Sequence, residues 1–159
     1  MKMVMSDVTK LACRFKELKL TLSVAESCTG GLISSLLTGS PGASEFFYGS
    51  AVTYSNDSKI SILNVDPMTL AEHGAVSEKT AGEMAIGARS VFKTDIAASV
   101  TGIAGPSGDT ETKPLGLVFI AVFDGTELKI SEHHFKGSRN DVQKAAADRV
   151  ILTLSELLG

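Results

Sequence analysis

Apolar residues fall along this chain in short runs separated by helical stripes. Val8, Leu11, Phe15 and Leu18 recur at three- and four-residue intervals behind Ser6, which predicts a first helix with Ser6 as its N-cap and Cys13 as ordinary packing within it. Leu22-Ser23-Val24 is a short apolar run of strand type, and Leu32 to Leu37 then takes helical spacing up to Gly39. Ser40-Pro41-Gly42-Ala43 is a turn, and Phe46 to Tyr54, rich in aromatic and β-branched residues, predicts a second strand. Short helices open at Asn56-Asp57-Ser58, carrying Lys59, Ile60, Ile62 and Leu63, and at Asp66-Pro67, the latter ending at Gly74. A long helix from Ser77 presents Ala81, Met84, Ala85, Ala88 and Val91 on one face. Gly82 and Gly87 lower its intrinsic propensity and predict a close contact with the sheet.

Ile96 to Val100 and Leu117 to Phe123 are continuously apolar, as expected of buried strands. Asp124-Gly125 predicts a hairpin turn into Leu128 to Phe135, whose polar character marks an edge strand. Ser138-Arg139-Asn140-Asp141 opens a last helix with Val142, Ala146, Val150, Leu154 and Leu157 on its core face. Strands alternate with helices early and a hairpin comes late. The pattern predicts an α/β fold: a three-layer α/β/α sandwich around a mixed, mainly parallel sheet, with a late antiparallel hairpin. Neither a repeat nor a long linker divides the chain, so residues 1–159 are expected to form a single domain.

Composition narrows the function. A net charge of −3 argues against a nucleic-acid or anionic-membrane surface. The longest apolar run, Leu117 to Phe123, is too short to span a bilayer, and polar Ser6 and Asp7 follow Met3 and Val4 too soon for a signal peptide, so a cytoplasmic address is expected. Cys13 and Cys28 have neither disulfide-framework nor metal-ligand spacing.

Three polar loops lie beyond apolar strands, at 25–31, 54–59 and 101–116, and such loops meet at one crevice in open α/β sheets. Ala25-Glu26-Ser27-Cys28-Thr29-Gly30-Gly31 puts Ser27 on a tight turn just before a helix N-terminus. Two readings fit it: a cluster of N-capping residues, or a turn whose free N–H groups hold an anion or the oxyanion of an acyl transfer. The glycines at 102, 105 and 108 do not form a dinucleotide fingerprint, and no Gly-Lys-Ser/Thr phosphate loop is present. The loop they occupy is either a flexible connection or a ligand contact. His73, His133 and His134 all fall away from the Ser27 turn, which leaves a Ser-His-Asp triad little support. A nucleophilic Ser27 would then need another base, and Lys59, after a strand and beside Ile60 and Ile62, is the candidate; a solvated helix lysine is its alternative. At an ordinary pKa of about 10.4 only roughly one lysine in 2,500 is neutral at pH 7, whereas a shift to about 8 leaves roughly a tenth neutral.

With these loops in view, the sequence resembles the C-terminal domain of the CinA (competence/damage-inducible) family, which includes nicotinamide-nucleotide amidohydrolases. The resemblance runs from about Ser6 to Leu158. It rests on Val24-Ala25-Glu26-Ser27-Cys28-Thr29-Gly30-Gly31, Phe47-Tyr48-Gly49, Val52-Thr53-Tyr54-Ser55-Asn56 with Lys59, Gly74-Ala75-Val76-Ser77, Thr101-Gly102-Ile103-Ala104-Gly105-Pro106, Lys113-Pro114-Leu115-Gly116 and Gly137-Ser138-Arg139. Ser107 and Asp109 stand in a loop that is usually richer in glycine, and Leu117 replaces a common threonine.

The resemblance implies hydrolysis of nicotinamide mononucleotide (NMN) to nicotinic acid mononucleotide and ammonia by a serine–lysine dyad, with neither metal nor cofactor. It implies Ser27 as nucleophile, Lys59 as general base and Thr101 as a residue positioning the dyad or substrate. Thr29, Gly30, Gly31, Tyr54, Gly102, Gly105 and Arg139 would bind substrate, with N–H groups near Gly30 and Gly31 for the oxyanion and Arg139 for the phosphate. The expected partner is the nucleotide itself, in a homo-oligomer, without nucleic acid or membrane. Two alternatives remain at this point: a non-catalytic nucleotide-binding accessory module linked to competence or DNA damage, and a cysteine amidase using Cys28.

Overall fold

The structure, a computed structural model, describes residues 2–159, with side chains from residue 7 onward. Its strands are β1 (Leu22–Glu26), β2 (Phe47–Val52), β3 (Ile96–Gly102), β4 (Leu117–Phe123) and β5 (Leu128–His134), in the spatial order β2-β1-β3-β4-β5. β1 pairs in parallel with both β2 and β3, while β4 runs antiparallel to β3 and β5 antiparallel to β4. The helices are α1 (Lys2–Leu18), α2 (Leu32–Thr38), α3 (Asn56–Leu63), α4 (Pro67–His73), α5 (Glu78–Phe92) and α6 (Arg139–Leu158). This is the α/β architecture with a mixed sheet and late hairpin that the pattern predicts.

Strand alternation divides the core into two layers. Val24, Val100 and Ile120 point to the side covered by α1, α2 and α6, where they pack with Phe15, Ile33, Val142 and Leu154. Ala25 and Ala97 point to the other side, against Leu63 of α3, Leu70 of α4 and Met84 and Ala88 of α5. Among the described residues no helix is long and apolar enough to cross a membrane.

Several local expectations are corrected. The helix begins at Lys2, so Ser6 lies inside α1 and not at its cap; nothing in Lys2 to Met5 breaks a helix. Leu18 and Val91 are exposed, each standing in the last turn of its helix. Cys13 is exposed as well, on the outer side of α1. Gly82 does approach the sheet, since a Cβ there would meet Leu128 and Ile130 of β5 at 3.0 and 3.3 Å. Gly87 instead faces α3: its Cβ would stand 2.0 Å from the Leu63 carbonyl oxygen. β2 stops at Val52, short of the predicted Tyr54, because the Thr53 and Tyr54 carbonyls turn away from the sheet to accept from Lys59 Nζ. β1 runs two residues longer than its apolar segment and takes in Glu26.

Candidate active site

A cleft of about 230 Å³ opens at the C-terminal ends of β1 and β3, where the chain leaves β1 toward β2 and leaves β3 toward β4, in opposite directions along the sheet. The chain leaves β1 at Glu26, and the Ser27 N–H donates to Val100 O at 3.0 Å, which holds the turn against β3. Gly30 and Gly31 adopt φ of 59° and 102°, values that an L side chain takes only with strain. The Gly30 N–H closes the turn on Ser27 O at 3.2 Å. Ser27 itself is 7% exposed and lines the cleft.

Lys59 comes from the other face of the sheet. Ser55 caps α3 by accepting from the Ser58 N–H, and the first turn then carries Lys59 inward to complete burial. Its Nζ lies 3.1 Å from Ser27 Oγ, 2.7 Å from Thr53 O and 3.3 Å from Tyr54 O. Among the described residues no carboxylate pairs with it. Burial pushes the amine below the ordinary lysine value, with Cys28 acting weakly in the opposite sense. A neutral amine has two N–H bonds and one lone pair. Two backbone carbonyls can take the N–H bonds, leaving the lone pair for the Ser27 hydroxyl proton. The same three oxygens suit the three N–H bonds of the protonated amine, so the site accommodates both states of a general base.

Tyr54 and Arg139 stand at the mouth, both exposed, with Arg139 Nη1 donating to Tyr54 Oη at 3.4 Å. Gly102 and Gly105 line the opposite wall. A Cβ at Gly102 would lie 2.6 Å from Val118 Cγ2, so the wall there can be no bulkier. Thr101 also borders the cleft, but its hydroxyl donates to Ala75 O at 2.7 Å and neither Ser27 nor Lys59 is its partner. It ties β3 to the segment before α5.

Thr29, Gly30 and Gly31 lie outside the cleft lining. The reason is Glu26, which is fully buried and which the motif reading did not single out for a role. Its Oε2 accepts from Thr29 Oγ1 at 2.6 Å, Gly31 N at 3.0 Å and Ile33 N at 3.2 Å; its Oε1 accepts from Ser34 N at 2.9 Å and Ser34 Oγ at 2.6 Å. The N-terminus of α2 therefore already holds an anion, and the Gly31 N–H expected to receive an oxyanion is engaged. Neither Ser27 nor Thr29 caps the helix; Gly31 is the N-cap and makes no side-chain bond. The one signal in the sequence was a carboxylate continuing an apolar strand segment, a position where an acidic residue is rarely tolerated unless paired.

Cys28 is 4% exposed, and burial, reinforced by the charge of Glu26, pushes its thiol up to about 12. The thiol stays protonated at neutral pH and is a poor nucleophile. Its carbonyl accepts from Gln143 Nε2 of α6 at 2.8 Å. No histidine borders the cleft, and among the described residues no cluster of His, Cys, Asp or Glu could hold a metal ion. A larger groove of about 460 Å³ lies between α1 and the end of α6 and shares no residue with the cleft.

Comparison with known proteins returns one consistent answer. The model of the CinA C-terminal domain matches residues 6–158. A CinA-like protein of Syntrophus aciditrophicus is 50% identical over 149 residues, covering 93% of this chain and 36% of that protein. A CinA-like protein of Thermotoga maritima is 47% identical over 143 residues, covering 90% of this chain and 35% of its own. The chain thus spans about a third of the length of the curated relatives it matches. Among solved structures, the competence or damage-inducible protein from Enterobacter asburiae superposes with a TM-score of 0.95 at 35% identity, covering 98% of both chains. The competence/damage inducible protein CihA from Agrobacterium tumefaciens gives 0.90 at 39% identity, with 95% of both chains covered.

Proposed function

The chain belongs to the CinA C-terminal domain family, and from that premise and the geometry of its cleft we propose that it hydrolyses the carboxamide of NMN to nicotinic acid mononucleotide and ammonia. The observation that carries this reading is the buried, carboxylate-free Lys59 amine 3.1 Å from Ser27 Oγ. An amine removed from water without a counter-ion favours its neutral form and can act as a base. Surface lysines make no such arrangement, so the solvated-helix alternative loses its support.

In the first step Ser27 Oγ attacks the carboxamide carbon while its proton passes to Lys59 Nζ. The tetrahedral intermediate then breaks its C–N bond, and the Lys59 ammonium returns a proton to the departing nitrogen as ammonia. The acyl group of nicotinic acid mononucleotide remains on Ser27 as an ester. Water attacks that ester as Lys59 takes its proton, and Lys59 then returns the proton to Ser27 Oγ as the Ser27–acyl bond breaks, which releases the acid and restores both the hydroxyl and the neutral amine. The pyridinium withdraws electrons from the carbonyl and makes this amide easier to attack than an ordinary one.

A cleft of about 230 Å³ is below the roughly 300–1,000 Å³ of pockets that enclose a whole small molecule. It suits the nicotinamide end, with Tyr54 and Arg139 at the mouth reaching the ribose phosphate. Ammonia release from NMN tests the reading: the wild type is expected to turn over and Ser27→Ala to be inactive while still binding NMN. A folded wild type that binds NMN without releasing ammonia would instead support the accessory-module alternative.

A further inference from the structure

Glu26 and Lys59 are the two fully buried ionisable side chains of the Asp, Glu, Lys and Arg types among the described residues, and they serve neighbouring backbone without touching each other. Strand alternation explains this. Glu26 shares its face with Val24, toward α2, whereas Lys59 approaches Ser27 from α3. The Glu26 carboxylate leads directly into Ser27 and takes five hydrogen bonds, from Thr29, Gly31, Ile33 and twice from Ser34. These donors span the whole return from the turn into α2.

We propose that Glu26 is a positioning residue for the Ser27 nucleophile, its carboxylate drawing residues 29–34 together so that Ser27 Oγ is held toward Lys59 Nζ. The charge is satisfied within the clamp by three backbone N–H groups at the positive end of α2 and by two hydroxyls, so it needs no cation. That leaves Lys59 free of a counter-ion. From the other side, Gln143 holds the Cys28 carbonyl, so the turn is pinned on both flanks of Ser27. The clamp also fixes the role of the α2 N-terminus, which anchors the turn and does not bind the reaction's anion.

This inference rests on Ser27 being the nucleophile, so its test reads that residue without the amide substrate. A serine-directed fluorophosphonate is reacted with each variant and the adduct is located by peptide mass. The amplitude reports the folded fraction and the rate constant reports the readiness of the site. NMN turnover is measured in parallel. Glu26→Gln keeps the shape but turns one acceptor oxygen into an NH2 group facing N–H donors. The expected result is a slower rate constant at undiminished amplitude, on the order of 10²-fold for a misplacement near 1 Å, with kcat falling in step and KM within about twofold. Glu26→Asp should recover part of the rate, because it keeps the charge but not the reach.

Thr29→Val removes one donor from the clamp outside the cleft and should slow labelling several-fold; it decides the question if Glu26→Gln does not fold. A Glu26→Gln protein labelled as fast as wild type overturns the inference and leaves the dyad standing, as does a wild-type rate for Thr29→Val when Glu26→Gln is unfolded. A wild type that resists labelling at Ser27 overturns the dyad and this inference with it.

Discussion

Replacing Lys59 by methionine separates the two demands the site makes on this residue. Methionine matches the length and apolar stem but has no amine. General base catalysis is typically worth about 10²–10⁴-fold, so kcat for ammonia release should fall at least that far and stay low across the accessible pH range. In the wild type, kcat/KM should rise with pH through an apparent pKa below the ordinary lysine value of 10.5, because burial depresses it. The stability effect has its own sign. An amine whose folded pKa is lowered is bound by more protons in the unfolded chain than in the folded one between the two values. Wild-type stability therefore rises with pH from the folded value to 10.5, and below the folded value the buried cation is fully unfavourable. Methionine removes that slope, but it leaves the Thr53 and Tyr54 carbonyls without the Nζ donor, a loss of about 1–3 kcal/mol for each one left unsatisfied. The difference in Tm between Lys59→Met and wild type should thus favour the variant most at low pH and least near pH 10. Thermal unfolding from pH 6 to 10 reads this directly. A pH-independent difference, or an active Lys59→Arg protein whose guanidinium cannot lose its proton, would refute the neutral-base argument.

Three further outcomes follow from other parts of the structure. Cys28→Ala should retain most of the activity, since a thiol held up to about 12 is thiolate in only about one molecule in ten thousand at pH 8; loss of turnover in a folded Cys28→Ala protein would restore the cysteine mechanism. Arg139→Lys should raise KM for NMN by roughly tenfold or more, the worth of a charge-assisted hydrogen bond of about 1.5–3 kcal/mol, while leaving nicotinamide riboside within about twofold; equal losses would remove Arg139 from phosphate recognition. Gly87→Ala should destabilise despite a propensity gain of about 1 kcal/mol, because its Cβ meets the Leu63 carbonyl at 2.0 Å and overpacking costs about 1–3 kcal/mol or more; calorimetry should register a Tm about 2–6 °C lower, and an unchanged or higher Tm would contradict the packing.

The strands and most helix ends were legible because their signals are local. Continuous apolar runs gave β3 and β4, Asp66-Pro67 and Gly74 bracketed α4, and Ser138 opened α6 through a capping box with Asp141. The pairing of Ser27 with Lys59 was partly legible, through motif spacing and the absence of a nearby histidine. The carbonyls that orient the amine were not, because Thr53 and Tyr54 contribute backbone atoms whose direction no residue type encodes. Glu26 escaped for a related reason. Local rules assign helix-terminal N–H groups to a capping side chain or a ligand, whereas here they are claimed by the last residue of the preceding strand. Gly87 likewise required knowing that α3 and not the sheet lies beneath it.

The central claim is that Ser27 carries the acyl group. The most direct measurement is intact-protein and peptide mass analysis of enzyme quenched with acid during steady turnover of NMN. The predicted result is an adduct with the mass of the nicotinic acid mononucleotide acyl group, confined to the peptide containing Ser27, present in wild type and absent from Ser27→Ala. Ammonia released at the wild-type rate by Ser27→Ala, or an adduct located on Cys28, would contradict it.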